Sequence, residues 1–546
     1  MKKILFITLA IVISMAANAQ NQVWDGTAEP WTHGSGTEED PYLIETPQNL
    51  AYLAVMVNGE PGVALNHMFP DTCFLLTADI DLGGQNGLVW NPIGTCTHYS
   101  NSVGFSGHFD GGGHAISNMT VTNETSYYYN YYGLFGYAKE GSIKNVVLDL
   151  TCSIQLKDCY EYWGIFVGGV VGYGTQISVI NCHSDATIEA TETFAEMDQC
   201  SVGGVCGILW ESSAAQCSFG GYIDCDAGSR YANVTLGGIT GGVRGCEVTG
   251  CHNDGWIVNK TKTHIAGNWG GFVAGGIAGT AIGDLSVISH CGNNGRVEVE
   301  VNPEVYFEEG PAYSGGILGY AWGRTNSTLP VVEVEVRNCY NVADLSVNPV
   351  DDAYIHTAAG GIVGGVDTYA RADVSNCYHV GGLTAEHTGG ILVPAGDSAS
   401  VTNSYFIDGC CCDNGFGEPQ TEGFMKSAEF VSLLNAGGEV FAMDTDNVNG
   451  GFPVFADGGH FNVIENQIDG GGVSAYPNPA AGSISVVVNS GAEIGSVSLF
   501  DISGRLVKVQ QSGFGSIDIS GLATGMYVMK VTLDDGKVFE EKIVKK

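Results

Sequence analysis

A short glycine motif returns through the middle of the chain at nearly constant spacing, and no other feature restricts the fold as much. It reads Gly133-Leu-Phe-Gly136, Gly168-Gly-Val-Val-Gly172, Gly203-Gly-Val-Cys-Gly207 and Gly237-Gly-Ile-Thr-Gly241. It continues as Gly275-Gly-Ile-Ala-Gly279, Gly315-Gly-Ile-Leu-Gly319, Gly360-Gly-Ile-Val-Gly364 and a degenerate Gly389-Gly-Ile-Leu-Val393. Successive starts lie 35, 35, 34, 38, 40, 45 and 29 residues apart. A second element follows: Ile180-Asn-Cys-His183, Gly250-Cys-His-Asn253, Ser289-His-Cys-Gly-Asn293, Arg337-Asn-Cys-Tyr-Asn341, Ser375-Asn-Cys-Tyr-His379 and Thr402-Asn-Ser-Tyr-Phe406. Two apolar residues between glycines cannot bury themselves alone, but stacked copies bury each other, so the period predicts a solenoid.

The local physics fits short strands. Ser178–Ile180, Val297–Val301 and 331–336 are rich in β-branched residues. Paired glycines permit close backbone approach and positive φ at the bends. An Asn before Cys suits a turn in which its amide bonds to the next rung. Cys182, Cys251, Cys291, Cys339 and Cys377 recur at one point of the repeat, which predicts an internal ladder of small apolar side chains. About eight or nine rungs at ~4.8 Å give a body near 40 Å long. The spacing leaves open whether a repeat is one coil or a wider unit. From Cys206 to Cys225 the Asn-Cys element is missing, so an irregular third rung is expected.

Taken in order, Gly-Gly-x-x-Gly followed by Asn-Cys-Tyr resembles the GLUG motif family of bacterial surface proteins. The lead-in is similar too: Gly36-Thr-Glu-Glu-Asp-Pro-Tyr-Leu-Ile44, Asp79-Ile-Asp-Leu82, Trp90-Asn-Pro-Ile-Gly94 and residues 105–116. The resemblance, over residues 34–455, implies an all-β chain: a right-handed parallel β-helix-like solenoid. Short capping helices are expected at both ends, where edge strands must be hidden. Thr46 and Pro47 open one, with Leu50, Leu53, Ala54 and Val57 on its apolar face. Ser427 opens the other, with Phe430, Val431, Leu433 and Leu434, and Gly437 ends it.

The two ends speak of export. Lys2 and Lys3, the apolar run 4–15 and Ala17-Asn-Ala19 read as a signal peptide cleaved after residue 19. Beyond a polar stretch, Tyr476-Pro477-Asn478-Pro479, Phe500-Asp-Ile-Ser-Gly504-Arg505, Leu522-Ala-Thr-Gly525-Met-Tyr527-Val528 and a Lys-rich terminus resemble the type A sorting domain of the type IX secretion system. Six short alternating strands predict an immunoglobulin-like β-sandwich there. The resemblance implies a Bacteroidetes-type host, the type IX machinery as partner, and a cell-surface or extracellular destination. The expected segments are 1–19 signal peptide, 20–130 N-terminal cap and first turns, and 131–408 repeat solenoid. Then follow 409–465 C-terminal cap, 466–474 linker and 475–546 sorting domain.

Charge narrows the partners. The net charge is −38, and only 12 Lys and Arg lie between residues 21 and 472. Nucleic acids and anionic membrane surfaces carry the same sign and are poor partners, and no later apolar stretch suits stable membrane insertion. Seventeen cysteines in an exported chain invite disulfides; Cys152 with Cys159 is a candidate pair, and Cys410-Cys-Cys412 suggests one bridge in an end loop.

Candidates for chemistry are few. Asp79 and Asp81 share a strand face but read as turn-stabilising carboxylates. Asp110, His108 and His114 sit in a glycine-rich turn at no hydrolytic or zinc spacing. His183, His252, His290 and His379 recur with the Asn-Cys element and read as scaffold. Asp444 and Asp446 are the candidate Ca²⁺ ligands, in a loop with Val at position five and no closing glutamate; no other cofactor is expected. The Tyr127, Tyr128, Tyr129, Tyr131 and Tyr132 run offers rings that either stack on a ligand or alternate into the core. The chain therefore reads as a non-enzymatic surface solenoid presenting loops to a host protein or glycan. The alternative is a polysaccharide lyase or glycoside hydrolase, which should gather three or more carboxylates within ~10 Å in an open groove beside aromatics.

Overall fold

The computed structural model describes residues 23–456 and 473–545, apart from short stretches at 60–68, 97–101, 124–128, 162–163, 196–198, 230–233, 262–270, 302–309, 324–331, 349–354, 395–398, 412–413, 477–479, 481, 489–493, 502–505, 511, 515, 523–524 and 534–537. The chain divides into two compact units, one within Met1–Phe461 and one within Asn462–Lys546. The signal-peptide stretch lies outside the described residues.

The first unit is all-β, with parallel strands stacked into curled, solenoid-like sheets and few helices. One motif-to-motif repeat is one coil, which resolves the question of repeat size. From Gly164–Gly168 the chain turns through the glycine motif into Val171–Ile180, turns again at Asn181, and passes through His183–Ser184 and Thr187–Ala195. Each strand pairs in parallel with its counterpart one coil on, giving four ladders: sheet I after the glycine bend, sheet II after the Asn corner, then sheets III and IV.

The glycine bend exists because backbones meet there. A Cβ on Gly204 would lie 2.3 Å from the carbonyl of Gly238, one on Gly238 2.3 Å from Gly276 O, and one on Gly276 2.1 Å from Gly316 O. The same amides donate along the stack, as in Gly204 N to Gly237 O at 3.1 Å and Gly276 N to Gly315 O at 3.0 Å. The apolar pair beside them, such as Ile277 and Ala278 or Ile317 and Leu318, is fully buried. None of these paired glycines takes a left-handed φ. The expectation of positive φ at the glycine bends therefore fails; close approach alone selects glycine.

Left-handed φ falls on the Asn corner instead. Asn145, Asn181, Gln216, His290, Asn338, Asn376 and Asn403 all have φ between 46° and 55°. Asn is among the few side chains that tolerate this region. Their amides pair rung to rung: Asn181 Nδ2 to Asn145 Oδ1 at 2.8 Å, Asn376 Nδ2 to Asn338 Oδ1 at 3.2 Å, Asn403 Nδ2 to Asn376 Oδ1 at 2.7 Å. The next residue turns inward as a thiol ladder. The Sγ of Cys291, Cys339 and Cys377 each accepts from the preceding rung's cysteine N–H at 3.4 Å. The third rung is regular at its corner, where Gln216 has φ 54° and Cys217 fills the ladder position, fully buried; its irregularity lies in sheet III, where the register against the preceding rung shifts between Ala190 and Thr193. Nor does Cys152 form the expected bridge with Cys159; its thiol donates to Ile116 O at 3.2 Å. Cys410 and Cys411 sulfurs are 3.7 Å apart and unbridged, and Cys412 lies outside the described residues.

The front helix, Pro47–Asn58, is capped by Thr46 and buries Leu50, Leu53, Ala54 and Val57 in the solenoid core. The back helix, Ala428–Leu434, is capped by Ser427. It packs on the outward face of sheet II: Phe430 meets Tyr378 and Tyr405 at 6.0 and 5.4 Å, while Phe441 and Phe455 extend the cluster. Its residues thus cover a flank of several rungs, a role beyond hiding the last one. The second unit has two antiparallel sheets, one of Val473–Tyr476, Ser483–Val488 and Ile517–Asp518 and one of Leu506–Gln510, Ile494–Asp501, Gly525–Leu533 and Val538–Lys545. They share a core of Ile484, Val497, Leu499, Met529, Val531 and Ile543.

A second ladder runs inside sheet II: Asn253 Nδ2 to Asn293 Oδ1 at 2.7 Å, Asn293 Nδ2 to Asn341 Oδ1 at 2.6 Å, and Asn341 Nδ2 to His379 Nδ1 at 2.8 Å. Burial pushes His379 down from 6.5 to about 4, so the unfolded chain binds a proton that the native ring refuses. Stability is fully present above pH 6.5 and falls as the pH drops toward 4. Denaturation between pH 7 and 4.5 should show this slope flattened in His379→Asn, where the amide ladder continues. Gly276→Ala should destabilise the solenoid by about 3 kcal/mol through overpacking against backbone. Gly423→Ala, in a helix with open space around it, should be neutral or gain up to about 0.5 kcal/mol in the same melts.

Candidate functional site

Sheet I presents two rows of side chains outward. The residue after the last glycine of each motif forms the first: Tyr137, Tyr173, Ile208, Gly242, Thr280, Tyr320 and Gly365, each in register with the next. Two positions further along, Lys139, Thr175, Trp210 and Arg244 form the second, with Ile282 and Trp322 beyond. Sheet IV turns Tyr131, Phe166 and Tyr313 to the same seam. Tyr131 lies 5.6 Å from Tyr137, 5.7 Å from Phe166 and 5.1 Å from Tyr173. Tyr313 and Tyr320 lie 4.9 Å apart. Gly365 makes room for that pair, since a Cβ there would sit 2.8 Å from the Tyr313 ring. Burial and the nearby Asp367 carboxylate raise both phenols above their ordinary value. Arg244 lies over the Trp210 ring at 4.3 Å and reaches Asp284 at 3.5 Å. Tyr131, Tyr137, Tyr173, Trp210, Tyr313 and Trp322 all remain partly exposed. The result is an aromatic stripe along the stacking direction.

Among the described side chains of the tyrosine run, Tyr131 joins this stripe. Tyr127 and Tyr128 lie outside the described residues, as does the side chain of Tyr129, whose backbone opens the strand Tyr129–Tyr132. Tyr132 turns into the core at 6 % exposure. The rest of the stripe was missed because it is scattered in sequence, although its members sit at fixed offsets from the glycine motif.

The other candidates make local hydrogen bonds. Asp444 holds its own loop: Oδ1 accepts from Val448 N at 2.9 Å, and Oδ2 from Asn449 N and Gly451 N at 2.8 and 2.9 Å. Asp446 is exposed beside it. Among the described residues no three His, Cys, Asp or Glu side chains converge as metal ligands. Asp79 accepts from Ala115 N and Asp81 from Gly83 N, as turn carboxylates do. His108 and His183 meet Ser142 and Ser218 one rung on. His114 contacts Asp79, and Asp110 holds Gly112 N and the Asn145 amide. In the second unit Tyr476 ends its strand, Gly525 begins one and Tyr527 is buried in the core. Pro477, Asn478, Pro479, Gly504 and Arg505 lie outside the described residues.

Sheet III carries a second polar grouping that sequence spacing did not reveal. Glu189 is in register with Asp224, and Asp224, Val258 and Glu298 follow on successive rungs, with Asp226, Lys260 and Glu300 two positions along. Lys260 Nζ reaches Asp224 Oδ2 at 2.5 Å and the Tyr222 hydroxyl donates to it at 3.1 Å. Desolvation, then the Asp224 charge, raise the Glu189 carboxyl above its ordinary range. Tyr222 and Trp256 pack at 5.4 Å. Asp226 and Glu298 are 8 % and 7 % exposed, which makes this a half-closed patch and not an open groove.

Known proteins add to this geometry. A provisionally named Gly-rich membrane protein of Evansella cellulosilytica is 32% identical over 149 residues. That match covers 27% of this chain and 14% of the relative's length. A crystal structure of a provisionally named immunoglobulin A1 protease from Bacteroides ovatus aligns over 78% of this chain and 94% of its own, with 17% identity and a TM-score of 0.35. Residues 474–546 match the family model for the secretion system C-terminal sorting domain. The chain thus ends in a type IX sorting tail, which implies handling by that machinery and export to the cell surface or extracellular space.

Proposed function

We propose that this chain is an exported surface or secreted solenoid that binds a host glycan or host protein without transforming it. The observation that carries the reading is the aromatic stripe on sheet I. Partly exposed Tyr and Trp rings in one line supply large, rigid contact area at low entropic cost. In this reading residues 1–19 are removed as a signal peptide, and the repeats are a GLUG-type right-handed β-helix. The tail folds as an immunoglobulin-like sandwich. The acidic body keeps the protein off nucleic acids and anionic membranes. Coils that pair only with their neighbours make a stiff stalk, suited to display.

One observation favours a second reading, a carbohydrate-cleaving enzyme. Glu189, with its raised affinity for a proton, neighbours Asp224, which is ion-paired with Lys260, and glycosidases use pairs of carboxyls in unequal surroundings. Against it, Asp226 and Glu298 are enclosed and Asp224 is already bound by two side chains of its own sheet.

A screen of the secreted protein against polysaccharides and host matrix proteins decides between them. Binding with no new reducing ends or unsaturated products is expected, and Trp210→Ala should cost roughly tenfold in affinity. Turnover abolished by Glu189→Gln and by Asp224→Asn would establish the enzyme.

A further inference from the structure

We propose that the stripe takes one linear, uncharged glycan laid along the stacking direction, about one sugar ring per rung. The inference rests on the reading of the stripe as the binding face, and specifies what lies on it.

Three features lead there. The first is direction. Tyr137, Tyr173 and Trp210 stand on three consecutive rungs, and the Tyr313–Tyr320 pair lies three rungs further. From Tyr137 to Tyr320 is five rung steps, about 24 Å at ~4.8 Å per step. The line crosses the strands, whose N–H and C=O groups are spent on the next rung, so an extended peptide finds no free edge on this face. A ligand that follows the line must have its own repeat close to the rung spacing.

The second is relief. Between the two ring clusters the first row carries Ile208, Gly242 and Thr280, all buried. The partly exposed rings of that row therefore stand as two platforms separated along the stack. One long chain can span both, whereas a short one reaches a single platform.

The third is charge. The cations of the stripe are compensated: Arg244 by Asp284 at 3.5 Å and Lys139 by Glu140 at 3.9 Å. Asp367 accepts from Gly323 N at 3.2 Å, next to the stripe's Trp322. A uronate or sulfated chain would meet carboxylates without a spare counter-charge. Neutral sugars instead offer C–H faces to the rings and hydroxyl donors to Asp284 and Asp367.

The test is calorimetry of the whole secreted protein with neutral β-linked and α-linked oligosaccharides of increasing length. Polygalacturonate and heparin serve as charged controls. Affinity should climb with chain length and level off near about six units, the number of rungs spanned. The charged polymers should be at least tenfold weaker. Tyr173→Ala and Trp322→Ala, at opposite ends of the stripe, should each weaken a long oligomer roughly tenfold, with the circular dichroism melt unchanged. A short oligomer should respond to one of them only. Affinity independent of length, or preference for the charged chains, would overturn the inference, and neither readout depends on a variant folding. Capture of a host matrix protein with no neutral oligosaccharide bound would overturn it while the wider binding reading stands. No binding of any kind would remove both.

Discussion

Everything in the solenoid depends on how closely successive coils approach at the glycine bend. With second-position glycines facing the next coil's carbonyl at distances no Cβ tolerates, the bend cannot be built from other residues without pushing the coils apart. The amides there donate along the stack, so the bend is part of the ladder and not a solvent turn. Each bend is thereby held at the same height as its sheets. That common spacing is why the corner Asn, the buried Cys and the outward Tyr of one coil each lie over their counterparts.

The same registration gives the polar positions their partners. A left-handed φ at the corner is costly for most side chains, and the Asn amides that accept it also bond to one another up the stack. Cysteine suits the following position because it is small and apolar and its sulfur accepts the N–H of its neighbour. Burial holds the ladder thiols Cys182, Cys251, Cys291 and Cys339 well above the usual thiol range, which keeps the nucleophilic thiolate scarce. Function follows from registration as well. Residues far apart in sequence, such as Tyr137 and Tyr320, become members of one line because each follows the last glycine of its motif.

Much of this was legible in the sequence, and the failures have physical causes. Period, strand segments, the Cys ladder and both capping helices can be read because each depends on local spacing. The irregularity expected of the third rung was placed at the wrong point: Gln216 and Cys217 satisfy the corner and the ladder without the Asn, and the register shift falls in sheet III. The glycine bends were assigned a positive φ when their constraint is a neighbour one coil away, which no local propensity reports. The tyrosine run drew attention by its density, yet of its described side chains Tyr132 faces the core and Tyr131 reaches the stripe. The Glu189–Asp224 grouping was invisible because its members come from different coils. The tail was readable as an ordered series of motifs, and its family match needs no fold to support it.

Amide hydrogen exchange at the glycine bends tests the central claim most directly. If the bends are rungs of the ladder, peptides covering residues 168–172, 203–207 and 275–279 should exchange as slowly as the flanking strands. Fast exchange in those peptides beside protected strands would mean that the bends are ordinary surface turns. The stacking argument, with the stripe that rests on it, would then fail.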